Sequence, residues 1–214
     1  MRISELSSAT GVAVPSIKYY LREGLLPPGE LSSANQASYT EQHAQRLRLI
    51  RALLDVGGLP VATAKEVIGA IDAPDVPLTW VFGVAQHAIS DASLYDPLEE
   101  ETEGTRAVSA AIEAKGWHVS PDNPGRFGAA RVIDTYTRVG HPELAKIWSG
   151  YADAAELIAE ADMAAVARLT DREAMSETVV VGTVLGDALV SSLRRMAQEH
   201  ISNIHFPATP KDPS

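Results

Sequence analysis

The sequence predicts a mainly α protein: an N-terminal domain with a helix–turn–helix, followed by an all-helical C-terminal domain. Three observations support this class. Apolar residues recur at three- and four-residue steps in short segments that glycine separates. Beyond Pro74 the chain is alanine-rich, with proline and glycine punctuation and no alternating strand pattern. Its 214 residues, 45% of them apolar, suffice for two compact domains.

These patterns divide the chain into four parts. A first domain covers residues 1–73, and a linker or dimerisation helix covers 74–95. A helical effector or interaction domain covers 96–207. The final residues, 208–214, are predicted to be disordered because short polar and proline-rich ends rarely pack.

Two short helices are predicted at the start of the chain. The stripe of the first consists of Ile3, Leu6 and Ala9, and Gly11 ends it. The second begins near Pro15, which suits a first helical turn, and ends at Gly24, which tolerates the left-handed conformation of a helix end. Its packing face is formed by Val14, Ile17 and Leu21, and its outward face by Pro15, Lys18, Tyr19 and Arg22. The outward face therefore carries two cations and a phenol, which suit phosphate and groove contacts.

Two further helices complete the first domain. Thr40 is a suitable N-cap for a helix that reaches Val56, where Gly57 and Gly58 end it. Pro60 then opens a helix that ends at Asp72.

A set of ordered motifs occupies roughly the first seventy residues: Arg2-Ile3-Ser4-Glu5-Leu6, Gly11-Val12, Lys18-Tyr19-Tyr20, Arg22-Glu23-Gly24-Leu25-Leu26-Pro27-Pro28, Tyr39 and Arg46-Leu47. Over these residues the chain resembles the MerR family of bacterial transcription regulators. The resemblance implies a winged helix-turn-helix with a β-hairpin wing over about Leu25 to Tyr39. It also implies a homodimer on a pseudo-palindromic promoter site, where the protein distorts the spacer of double-stranded DNA so that RNA polymerase engages both promoter elements.

The resemblance implies the following DNA contacts. Lys18 and Arg22 are expected on phosphates or base edges and Tyr19 on a phosphate, with Arg48 on the backbone if its face reaches the DNA. The remaining expected contacts are Pro15 and Ser16 on the recognition helix and Asn35, Gln36 and Tyr39 on the wing. The wing departs from the family because the run Asn35-Gln36-Ala37-Ser38-Tyr39 lacks its arginine, and neutral donors bind phosphate less strongly.

Charge is distributed unevenly along the chain. Residues 1–71 hold seven of the 18 Lys and Arg and six of the 28 Asp and Glu, so the excess acid lies beyond them. A net charge of −10 argues against non-specific nucleic-acid binding by bulk charge. Affinity is therefore expected from a locally basic face that two copies present together.

Several function classes are disfavoured. The chain has no cysteine, which excludes disulfides, thiolate metal sites and thiol redox sensing. No two of its six histidines share the i, i+4 spacing of a zinc helix, and no nucleophile or phosphate loop stands out, so we predict no metal, no cofactor and no catalysis. His43, third in its helix, is expected at the surface or in a cap. The longest apolar stretch, Thr178 to Val190, is too short for a bilayer, so no membrane partner and a cytoplasmic, nucleoid-associated location are expected.

Two segments are candidates for the dimer interface. The stripe from Leu78 to Ala92 lies where the family's coiled coil begins, although it also suits an ordinary helix packed within its own subunit. Later, Thr170 and Glu173 form a predicted capping box before a helix of about thirty residues. Its stripe from Val179 to Leu193 predicts a buried contact helix, packed on a neighbouring helix or on a second subunit.

A small organic effector is the predicted ligand of the second domain. Large aromatic side chains in a carboxylate-rich region suit an apolar or cationic molecule. The candidates are Trp117, Tyr136, Trp148 and Tyr151, with the two tryptophans preferred; Phe127 is a further aromatic of this region. Aromatics at helical intervals are also ordinary core residues.

The alternative function for the whole chain is a helical ligand-binding or protein-interaction module that binds no operator.

Overall fold

The computed structural model describes residues 1–33, 36–90 and 100–206, together with residues 94, 96 and 98. Within these residues the chain is helical with one antiparallel hairpin, which confirms the predicted mainly α class. The helices are α1 Ile3–Thr10, α2 Val14–Glu23, α3 Glu41–Arg51, α4 Val61–Asp72, α5 Leu78–Ala88, α6 Glu103–Lys115, α7 Pro124–Arg138, α8 Trp148–Val166 and α9 Arg172–His205. The strands are β1 Glu30–Ser33 and β2 Gln36–Ser38.

The chain divides into two compact units whose boundaries fall inside helices. One contains Met1–Lys65 and the chain from Val181 onward, and the other contains Glu66–Val180. This differs from the sequence-based division, which kept residues 96–207 together. The difference arises because the later part of α9 packs within the first unit. There the Cγ1 atom of Val184 occupies the position that a Cβ on Gly57 would need. The predicted disordered tail, 208–214, lies outside the described residues.

The helix–turn–helix forms as its glycines and proline predict. Gly11 and Gly24 adopt φ angles of 70° and 76°, and each ends a helix in the left-handed conformation. Leu6 and Ile17 are fully buried, whereas Ala9, predicted on the stripe of α1, is exposed. Leu25 and Leu26 follow Gly24 into the same core and carry the chain towards the hairpin.

The hairpin lies in the predicted wing. Its register pairs Glu30 with Ser38 and Leu31 with Ala37, with an irregularity between Leu31 and Ser33. The backbone N–H of Tyr39 donates to the carbonyl oxygen of Met1 over 2.8 Å. The amino group of Met1 donates back to the carbonyl of Tyr39 over 2.7 Å, so the start of α1 is tied to the end of the wing.

Helix α3 has the predicted cap and a modified end. The backbone N–H of Thr40 donates to Nδ1 of His43 over 3.1 Å, which confirms the capping role expected for this histidine. The helix does not continue regularly to Val56 as predicted. Residues Ala52–Val56 form a π-helical turn, in which the N–H of Gly57 donates to the carbonyl of Ala52 five residues earlier.

The second unit is built on the close packing of α6 against α7. Gly104 of α6 lies very close to the backbone of α7. A Cβ at this position would lie 2.8 Å from the carbonyl carbon of Ala130 and closer still to its oxygen. The N–H of Gly104 also donates to Oδ1 of Asp134 over 2.7 Å. Val108 and Ile133 pack beside this crossing, and Trp148 from α8 covers the cluster.

Helix α9 corrects two sequence-based predictions. Its cap is Asp171 rather than Thr170, because Oδ2 of Asp171 accepts the N–H of Ala174 over 2.8 Å. Its first half is buried at Val179, as predicted, but Leu189 and Leu193 are 60% and 50% exposed, so the predicted buried contact helix is buried over only part of its length. A helical pattern shows that a face is apolar without showing what covers it.

By length and composition alone, α9 is long and apolar enough to cross a membrane. Its most apolar 18-residue window has a mean hydropathy of 1.3, and 22% of that window is buried. The apolar stretch Thr178 to Val190 is too short for a bilayer, but it lies within a longer helix of 34 residues. One helix that passes a test of length and composition is weak evidence for a membrane span, so this property by itself assigns no membrane role.

Candidate nucleic-acid interface and ligand cavity

Helix α2 separates a packed face from an exposed cationic face. Ile17 and Tyr20 are buried, and burial raises the pKa of the Tyr20 phenol, which is consistent with a structural role. On the opposite face Lys18 is exposed, and it has no ion-pair partner among the residues that the structure describes. The arrangement leaves Lys18 available to an anion.

Arg22 and Tyr19 form a stacked pair on the exposed face. The guanidinium carbon of Arg22 lies 5.2 Å from the centroid of the Tyr19 ring, within the range of a cation–π contact. The Arg22 side chain is 71% exposed, and its Nε lies 3.5 Å from Oε1 of Glu23. This exposed ion pair is weak, so a phosphate could displace the carboxylate. Pro15 is exposed and Ser16 partly exposed at the start of the same helix.

The wing residues have different placements. Gln36 is exposed at the start of β2, whereas Asn35 lies outside the described residues. Tyr39 is only 6% exposed, and its ring packs edge-on against His43 with a centroid distance of 5.2 Å. Its ring edge also lies 2.9 Å from the position of a Cβ on Gly29. This packing gives Tyr39 a structural role in the wing and does not fit the predicted contact with DNA.

Two cations outside α2 complete the description of this region. Arg48, a predicted contact, pairs through Nη1 with Oε1 of Glu41 at 3.0 Å and is therefore partly neutralised. Lys65, which is not among the predicted contacts, brings its Nζ to 3.7 Å from the position of a Cβ on Gly24 at the end of α2. A positive charge at that place interacts favourably with the negative, C-terminal end of the helix dipole. No sequence signal indicated it, because the two residues meet only through the packing of α4.

The four aromatic residues predicted to contact a ligand line one cavity in the second unit. Trp117 follows α6, Tyr136 lies on α7, and Trp148 and Tyr151 lie on the first turn of α8. The cavity has a volume of about 550 Å³, within the usual range for small-molecule sites. Phe127 is not among its lining residues. A shared cavity is the arrangement that ligand binding needs, although the role of each aromatic stays a prediction.

Trp117 is held at the cavity by a charged network. Its Nε1 donates to Oε1 of Glu156 over 2.8 Å, while Nζ of Lys115 donates to the other oxygen of Glu156 over 2.9 Å. Lys115 also pairs with Asp153 at 2.7 Å and lies 5.4 Å from the indole centroid. The hydrogen bonds from Lys115 and then Trp117 lower the pKa of Glu156. The pair with Asp153 and then with Glu156 raises the pKa of Lys115.

Histidines in the described regions make local contacts. Nδ1 of His87 lies 2.8 Å from the carbonyl oxygen of Gly83, and Nδ1 of His141 lies 3.0 Å from Oε1 of Glu143. Within the described residues, no three His, Asp or Glu side chains come together as a metal site would require.

The fold and the exposed face of α2 define a winged helix-turn-helix protein, the class that reads DNA through its second helix. Residues 1–70 match the family model of the MerR HTH family regulatory protein. A solved structure, SCO5550 from Streptomyces coelicolor A3(2), assigned as a transcriptional regulator, is similar over 99% of this chain and 100% of its own, with 31% identity and a TM-score of 0.73. The chain belongs to the MerR family of transcription regulators.

Curated relatives match more limited regions. The HTH-type transcriptional regulator ZntR homolog of Haemophilus influenzae is 44% identical over 50 residues, which are 23% of this chain and 37% of that protein. Nodulation protein NolA of Bradyrhizobium elkanii is 39% identical over 104 residues, which are 49% of this chain and 48% of that protein. The matches thus span half or less of these relatives.

Proposed function

We propose that this protein regulates transcription by binding a pseudo-palindromic promoter site as a homodimer and distorting the promoter spacer. The observation that carries the proposal is the exposed face of α2, where Lys18, Tyr19 and Arg22 lie opposite a buried face. DNA distortion is the mechanism that suits it, because one short helix offers few base contacts and the energy of deformation supplies further selectivity. RNA polymerase then acts at the same promoter without being bound by this chain.

Dimer formation is proposed through the second half of α9. Five apolar side chains of this half are about half exposed or more and fall on one side of the helix: Leu189, Leu193, Met196, Ile201 and Ile204. Arg195 and Glu199 lie on the other side. A second copy would cover this apolar stripe and remove it from water.

The alternative dimer element, α5, has its stripe covered within the subunit. Val81 and Ala85 are fully buried, and Phe82 and Ile89 are partly buried. Ala92, the predicted end of that stripe, lies outside the described residues. This burial supports α5 as an ordinary packed helix and leaves α9 as the proposed dimer interface.

A small organic molecule is the proposed effector. The support is the cavity that Trp117, Tyr136, Trp148 and Tyr151 share, since a cavity of this volume with several aromatic walls accepts a molecule of drug-like size. We propose no enzymatic step, no bound metal and no cofactor, and a site of action in the cytoplasm at the nucleoid. The relatives named above as regulators are consistent with this assignment.

A salt-dependent titration against DNA fragments from upstream of the protein's own gene tests the proposal. Specific binding on the order of 10⁻⁸ M or tighter is expected, and Lys18→Ala should weaken it. The slope of log affinity against log salt should fall by about one for each phosphate that the variant no longer neutralises at a site. Lys146→Ala, an exposed lysine of the second unit, is the matched control and should bind like the wild type.

The result also separates the two candidate functions. A slope that Lys18→Ala leaves unchanged would remove this lysine from the phosphate contacts. Equal affinity for scrambled DNA across genomic fragments would instead favour the helical ligand-binding or protein-interaction module.

A further inference from the structure

We propose that the cavity of the second unit binds an organic anion with a flat apolar body, whose carboxylate or equivalent acid pairs with Arg126. The inference rests on the effector cavity of the proposed function and extends it by naming the charge and shape of the ligand. It also departs from the cationic ligand that the carboxylate-rich composition of the region suggested.

The described walls of the cavity are apolar apart from a few groups. Aromatic rings come from Trp117, Tyr136, Trp148 and Tyr151, and aliphatic side chains such as Ile133 fill the space between them. Rings of this size favour a flat or bulky apolar partner, which stacks on them and displaces water. The apolar body of the ligand follows from this lining.

Arg126 is the one charged residue among the described residues that line the cavity. It lies in the first turn of α7 and is partly buried. No acidic partner faces it within the described part of the chain. A guanidinium beside an apolar cavity loses water without gaining a counter-charge, so a ligand acid would restore the missing interaction.

The nearby carboxylates are already used by the protein. Glu156 accepts hydrogen bonds from Lys115 and Trp117, and Asp153 pairs with Lys115. Asp134 accepts the N–H of Gly104. None of the three lines the cavity, so a cationic ligand would find no carboxylate on its described wall.

The remaining polar group is an oriented amide. Asn123 donates through Nδ2 to Oε1 of Gln86 over 3.1 Å and accepts the N–H of Gly125 through Oδ1 over 2.9 Å. Both ends of this amide are therefore engaged. Among the described lining residues, Arg126 is therefore the group that determines which ligand charge the cavity prefers.

Three probes with one apolar body and different head groups test the proposal. They are 1-naphthaleneacetate, 1-naphthaleneacetamide and 1-naphthylmethylammonium, titrated into the full chain by isothermal titration calorimetry. The anion should bind at least roughly tenfold more tightly than the amide, because a charge-assisted hydrogen bond is stronger than a neutral one. The cation should bind most weakly.

Two variants assign the effect to Arg126. Arg126→Gln should bring the acid and the amide to within about twofold of each other, as expected when the charged partner is gone. Arg126→Lys should restore part of the preference. Arg138→Gln, at the exposed end of the same helix, is the matched control and should keep the full preference.

A further variant locates the probe in the cavity. Ala155 lines the cavity from the exposed side of α8, so Ala155→Trp should weaken the acid and the amide together by adding an indole to the space. Equal affinity for the three head groups, a preference for the cation, or a preference for the anion that survives Arg126→Gln would each overturn the proposal. Absence of saturable binding by all three probes would overturn it as well.

Operator binding by the same protein samples keeps the two proposals separate. If DNA is bound specifically and no probe binds, the ligand inference fails and the regulator stands. If the anion binds through Arg126 and no operator is found, the ligand inference stands and the regulator fails.

Discussion

Gly104→Ala should destabilise the second unit, because the new methyl group meets backbone rather than a movable side chain. Its carbon would lie 2.8 Å from the carbonyl carbon of Ala130 and 3.0 Å from the Cα atom of the same residue. Helix α6 must therefore move away from α7. The shift also stretches the 2.7 Å hydrogen bond from Gly104 to Asp134.

The size of the effect follows from three contributions. Overpacking of this kind costs about 1–3 kcal/mol, and weakening the hydrogen bond to a carboxylate adds about 1–2 kcal/mol. Alanine recovers about 1 kcal/mol of helix propensity relative to glycine. The net loss in the free energy of unfolding of the second unit should be about 1–4 kcal/mol.

A second glycine of the same unit provides the control. Gly150 lies in α8, and a Cβ there would meet no atom within 4 Å. Gly150→Ala should therefore stabilise the unit by roughly 0.5–1 kcal/mol. Urea unfolding followed by tryptophan emission reports this unit, since all three tryptophans lie within it. Equal stability of Gly104→Ala and Gly150→Ala would show that the close contact between Gly104 and Ala130 does not limit the stability of this unit.

Three further predictions concern a cap, a pH response and the dimer. Asp171→Ala should lower the free energy of unfolding in urea by about 1 kcal/mol, because Asp171 is the N-cap of α9. Thr170→Ala should stay near wild type. A larger loss in Thr170→Ala than in Asp171→Ala would identify Thr170 as the N-cap instead. The lowered pKa of Glu156 means that its bonds to Lys115 and the adjacent indole contribute fully above the ordinary glutamate pKa and are lost as the pH falls through the lowered value. An acid-induced change in tryptophan emission should therefore disappear in Glu156→Gln, and its persistence would contradict this origin. Leu193→Glu should weaken dimerisation by roughly a hundredfold or more in sedimentation equilibrium, since it places a charge in an apolar interface. An unchanged dimer would show that the interface does not include this part of α9.

The N-terminal fold was predictable because its signals are local. Pro15 and Gly24 mark the ends of α2 by their own backbone preferences, and Ile17 marks its buried face by spacing alone. The wing position followed from the family resemblance. The capping role of His43 followed from its place three residues after Thr40.

Other features depend on contacts between distant residues, which no local pattern carries. Tyr39 is buried because Gly29 and His43 close around it, although its place on the wing suggested exposure. Thr170 and Asp171 are adjacent residues that both suit an N-cap, and only the geometry of the first turn distinguishes them. Lys65 reaches α2 only through the packing of another helix.

The cavity was partly predictable. Aromatic composition selected Trp117, Tyr136, Trp148 and Tyr151, but it could not show that three separate segments place them around one space. Arg126 carried no signal in the sequence, because an arginine in the first turn of a helix is ordinarily a solvent-exposed group. Its importance in the proposal follows from what surrounds it.

Operator binding by a symmetric dimer can be measured by footprinting the protein on DNA fragments from upstream of its own gene. The expected result is a protected site with two related half-sites about one helical turn or a multiple of it apart, with altered cleavage in the spacer between them. The same protection should be lost in Lys18→Ala at equal concentration. Protection without symmetry, or a footprint that Lys18→Ala leaves intact, would contradict DNA binding by a symmetric dimer through the exposed face of α2.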